Sequence, residues 1–75
     1  MSGVAMSQFY ICHDNPLNVA RCVESQKENS AITIAGIPAD GGVVKLFTGI
    51  VQSLDHDPAR VPNRRWLVTM KATKP

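Results

Sequence analysis

Five side chains of metal-ligating or nucleophilic type are spread along the chain: Cys12, His13, Asp14, Cys22 and His56. A zinc site needs thiolate and imidazole groups converging tetrahedrally on one ion. Cys12 and His13 are adjacent, so on a strand they point to opposite faces. Neither Cys-x-x-Cys nor His-x-x-x-His occurs, and structural zinc sites normally carry such paired spacing. Cys12 and Cys22 read instead as small buried hydrophobes. No metal and no cofactor is expected.

Catalysis by a cysteine would need a depressed thiol pKa, a histidine and a third, orienting group. Cys12 with His13 or His56 supplies the available pairings. Asp55-His56-Asp57 sets an imidazole between two carboxylates, which could hold one tautomer. Pro58 follows at once, so the segment reads better as a turn in which an aspartate bonds its own backbone. Asp40-Gly41-Gly42 lacks the Lys-Ser/Thr of a phosphate loop and the three-glycine dinucleotide spacing, and it too reads as a turn. A chain of 75 residues has little concavity in which to hide a reacting group. The expectation is a protein that is not an enzyme.

The remaining chemistry is cationic. The formal charge of +2 hides an asymmetry: residues 1–42 carry two cations against four carboxylates, and residues 43–75 carry six against two. Lys45, Arg60, Arg64, Arg65 and Lys71 are the candidate nucleic-acid contacts, with Trp66 beside them. Single strands are bound by cations tracking phosphate and flat side chains stacking on bases. The opposing reading is a solvated face that keeps a small domain soluble. Trp66 alternates with Val68 and Met70, which makes it a core residue before a stacking platform. Aromatic content is only 5%, whereas RNA-binding sheets display two or three stacking rings.

These side chains must be placed by few elements. Residues 8–13 are β-rich, with Phe9, Ile11 and His13 on one face. Asn15-Pro16 is a helix start, and the spacing predicts a helix over about 16–28 with Leu17, Ala20, Val23 and Cys22 on its apolar face. Residues 31–37 alternate as a strand, and Pro38 to Gly42 form a turn. Residues 43–54 fit helical spacing well, but Val, Ile, Thr and Phe dominate, and Gly49 would cost a helix about 1 kcal/mol. A long strand bent at Gly49 is expected. Residues 55–63 form a loop holding Pro58 and Pro62. Residues 64–72 form the last strand, with Trp66, Val68 and Met70 pointing one way.

The order β-α-β-β-β is an α+β domain: a three-stranded antiparallel meander, 31–37, 43–54 and 64–72, plus a short strand 8–13 and one covering helix. The alternatives are a small, partly open barrel in which residues 8–13 close the sheet, and a second helix at 43–54. Residues 1–75 form a single small domain with frayed tails at 1–6 and 73–75. No apolar run approaches the ~20 residues of a membrane span. Residues 1–6 lack the basic start and apolar stretch of a secretory signal, and two cysteines are few for a secreted fold of this size. A cytoplasmic protein with no membrane association is expected.

The strand at 43–54 is apolar on both faces: Val44, Leu46, Ile50 and Leu54 on one, Val43, Phe47 and Val51 on the other. One helix covers one face, so the second requires curling of the sheet or a second chain. Phe47, Val51 and Leu67 are the interface candidates. The expected function is therefore a binding or regulatory module that associates with protein, or with itself as a homo-oligomer, through its sheet. The alternative is weak, sequence-tolerant nucleic-acid binding through the basic half.

Overall fold

The computed structural model describes residues 6–13, 15–57 and 65–72. Strand β1 (Met6–Ile11) leads into helix α1 (Pro16–Glu28), followed by strands β2 (Ile32–Pro38), β3 (Lys45–His56) and β4 (Trp66–Lys71). The β-α-β-β-β order and the antiparallel sheet are those expected from sequence. All four strands join in one sheet, and it closes. β1 pairs with β2 (Ile11 opposite Gly36) and also with β4 (Met6 opposite Lys71). β3 pairs with β2 on one side and β4 on the other. The arrangement found is a closed barrel, nearer to the partly open barrel held above as the alternative than to a three-stranded meander under a helix.

Local chemistry starts and stops the helix. Asn15 is extended, and its Oδ1 accepts the Asn18 N–H at 2.9 Å. Pro16 occupies the first turn, where its missing N–H would have no partner. Asn29 adopts the left-handed conformation (φ 55°, ψ 44°) and donates its N–H to the Ser25 carbonyl, which closes the last turn.

Several boundaries move, and cross-strand pairing moves them. The first strand runs over 6–11 rather than 8–13, because Met6 and Ser7 pair with Lys71 and Met70; Met6 thus belongs to the sheet and not to a tail. The third strand runs over 45–56 rather than 43–54, so Asp55 and His56, assigned to a loop from sequence, lie opposite Leu67 and Trp66. The last strand spans 66–71 rather than 64–72.

The bend in β3 sits at Gln52, not at Gly49. Val51 lies opposite Met70 and Ser53 opposite Thr69, so Gln52 is an extra residue in the ladder. The extra residue reverses the facing of everything after it. Leu54, expected to share a face with Leu46, instead lies opposite Val68 and packs on the core. Gly49 has a different role: a Cβ there would run into the Lys71 carbonyl oxygen and come within 2.7 Å of Met70 Cγ. The strand crosses its neighbour too closely for any side chain.

The core comprises Phe9, Ile11, Cys22, Ile34, Val51, Val68 and Met70. The Phe9 ring stacks on Phe47 with centroids 4.1 Å apart. It occupies the space that a Cβ at Gly36 would need. Closure puts one face of β3 inside the barrel, so curling of the sheet, rather than a second chain, covers Val51.

The helix presents a different face from the one its apolar spacing predicts. Cys22 and Ser25 are buried and Val19 packs against the core, while Leu17 is 70% exposed and Ala20 and Val23 also face outward. Hydrogen bonding accounts for the rotation. β1 no longer flanks β2 at Thr33, and Arg21 donates to the Thr33 carbonyl at 2.7 Å. β2 begins opposite Gly49, so Val51 and Gln52 of β3 lie beyond it. There the Ser25 hydroxyl accepts the Val51 N–H at 3.0 Å, and Gln26 Nε2 donates to the Gln52 carbonyl at 2.9 Å. The helix completes two strand edges with side chains, and leaving the buried Val51 N–H unpaired would cost more than exposing a leucine.

Candidate functional site

The described cations are not gathered into one patch. Lys45 opens β3 and shares its inward row with Phe47 and Val51, at the mouth of the barrel near Asp40 and Gln8. Lys71 lies on the outer face of β4, between Met6 and Ile50. Lys45 lies five residues before Ile50 in β3, about 16 Å away at strand rise. Lys45 therefore does not join Arg65 and Lys71 on one face. Arg65 precedes β4 and its carbonyl accepts the Asp57 N–H at 2.7 Å. Arg60 and Arg64 lie outside the described residues.

The aromatic rings are engaged within the fold. Trp66 packs on the core and meets His56 at a ring-centroid distance of 4.6 Å, tilted by 34°. Phe47 is half-buried against Phe9. His56 thus lies against an indole rather than a cysteine.

Of the interface candidates, Val51 is 1% exposed and faces the core, so it has no surface to offer; the parity of β3 relative to the closed barrel puts it inside. Phe47 and Leu67 are half-buried, and Leu67 lies on the outer face opposite Asp55 and Tyr10.

Cys22 does not resemble a nucleophile. Burial pushes the Cys22 thiol up from 9.0 to about 11, and the nearby Arg21 charge offsets this only in part. That is the reverse of the depression a reactive cysteine needs. Cys12 is half-buried just beyond β1, and both thiols are free. Among the described residues no three His, Cys, Asp or Glu side chains come together as a metal site. Every buried polar side-chain atom among them has a hydrogen-bond partner.

Exposed apolar surface collects instead where β3 begins. Val43 is 77% exposed, Leu46 is 71% exposed, and Val44 between them is also exposed. Leu46 and Thr48 form an outward row there, with Lys45 as the single charge from Val43 to Thr48. Sequence reasoning named Leu46 as one half of a two-faced strand but chose Phe47 and Val51 as the interface. The signal that separates the faces is the row holding Phe47, Gly49 and Val51, whose glycine marks the side where another backbone approaches closely.

Comparison with family models, with curated proteins and with solved structures finds no match. No described helix is long and apolar enough to cross a membrane.

Proposed function

We propose that this chain is a non-enzymatic binding module that holds a protein partner through the start of β3. The observation that carries the reading is the exposed apolar run of Val43, Val44 and Leu46. Exposed apolar side chains gathered at the end of a sheet are the kind of feature that protein contacts cover. The raised Cys22 pKa and the dispersed histidines support a role without catalysis. Two free thiols suit a reducing compartment such as the cytoplasm.

The test is a photoreactive phenylalanine analogue placed at Leu46 in the producing cell, with the same analogue at exposed Gln52 as the control. A covalent adduct to a protein from position 46, and none from 52, supports the reading. Equal or absent adducts at the two positions refute it. Oligonucleotide titration at two salt concentrations addresses the nucleic-acid alternative, since phosphate contacts weaken steeply with salt.

A further inference from the structure

We propose that the partner at this surface is a second copy of the chain, paired antiparallel along β3 about Leu46. The inference rests on the binding reading above and names its occupant.

The backbone sets the geometry. The Val51 N–H points toward Ser25, on the β2 side of β3. The side to which a strand residue directs its N–H and C=O alternates, so Gly49, Phe47 and Lys45 direct theirs at β2. They lie opposite Ile32, Ile34 and Gly36. The Cys12 N–H bonds the Ala35 carbonyl, which turns Ala35 toward β1 and leaves Ile34 and Gly36 for β3, in agreement. Leu46 and Thr48 therefore direct their N–H and C=O groups to the other side. β4 flanks that side only as far as Lys71, opposite Ile50. Among the described residues no strand pairs with Leu46 or Thr48 there. Such an edge is a template for another strand.

Its chemistry fits its own copy. Pairing about Leu46 sets Leu46 against Leu46 of the second copy, and Val44 against Thr48. Lys45 then lies across from Phe47, not across from another lysine. Pairing about Lys45 would oppose two like charges, which is unfavourable. Pairing about Thr48 would carry the incoming strand past Gly49, into the line of Ala72. Of the axes at Lys45, Leu46 and Thr48, the one at Leu46 joins leucine to leucine, avoids repulsion and fits the length of edge free among the described residues. A two-fold contact of this kind is self-limiting at two copies.

The experiment uses the full chain carrying Cys12→Ser, so that no half-exposed thiol interferes. Paired residues on the axis bring Cα atoms to about 5.5 Å, within disulfide range. Leu46→Cys should give a covalent dimer under mild oxidation, and Lys45→Cys, off the axis, should give little. Sedimentation of the native chain should show twice 8.2 kDa at high concentration. Leu46→Pro removes an N–H that β2 does not use and should weaken dimerisation roughly tenfold or more. A monomer at every concentration overturns the proposal, as does equal cross-linking at 45 and 46, or a dimer indifferent to Leu46→Pro. A dimer that appears only after removal of residues 73–75 also overturns it, since the chain's own end would then hold the edge. Photo-adducts from position 46 to a different protein alone would leave the binding reading standing and remove the second copy.

Discussion

The Ser25 hydroxyl accepts the Val51 N–H at 3.0 Å and donates to the Ser30 carbonyl at 2.6 Å. One buried oxygen thereby joins the end of the helix to the strand just before its bulge. Replacing it by alanine leaves a buried N–H without a partner. Ser25→Ala should destabilise the fold by about 1–3 kcal/mol, read as a lower urea midpoint. A change below about 0.5 kcal/mol would show that the bond contributes nothing.

Gly49 is required by closeness rather than by conformation. A methyl group there would meet the Lys71 carbonyl oxygen and Met70 Cγ. Overpacking of this kind costs about 1–3 kcal/mol, and a backbone carbonyl cannot swing away as a side chain can. Gly49→Ala should lose at least that much in chemical denaturation. A variant as stable as the parent would mean that β3 and β4 can separate freely at this crossing.

The orientation of the helix is testable with two exchanges. Leu17 is exposed, so Leu17→Ser should change stability by no more than about 0.5 kcal/mol. Val19 packs on the core, so Val19→Ala should cost on the order of 1–2 kcal/mol. The reverse ranking would restore the face predicted from apolar spacing.

Cys22 links stability to alkaline pH. Its thiol ionises near 9.0 when exposed and near 11 in the fold, because burial disfavours the thiolate. Between those values the unfolded chain binds fewer protons than the folded one, so stability falls as pH rises from about 9 and levels off above about 11. The full effect is roughly 2–3 kcal/mol. Cys22→Ala should flatten that part of the profile relative to the parent. Parallel profiles would exclude Cys22 as the cause.

Much of the fold is legible from residue types alone. Asn15-Pro16 and Asn29-Ser30 mark the helix ends, and Phe9 with Ile11, and Val68 with Met70, alternate as buried rows should. The strand character of 43–54 follows from β-branched residues and a glycine, against a better helical period. The helix face was misread because the apolar stripe Leu17, Ala20, Val23 competes with Arg21, Ser25 and Gln26, whose value lies in strand edges absent from any local pattern. The interface candidates failed at Val51 for the same kind of reason: both rows of β3 are apolar, and nothing local says which one the barrel encloses.

The chain alone therefore determined its elements and their order, since these depend on neighbours within a few residues. Closure of the sheet, the bulge at Gln52 and the free edge at Leu46 were decided only by tertiary pairing. They depend on which strand ends first beside which, a matter of register between segments as far apart in sequence as Met6 and Lys71. Register is set by summed backbone bonds and burial across the whole sheet, and no short window of sequence carries that sum.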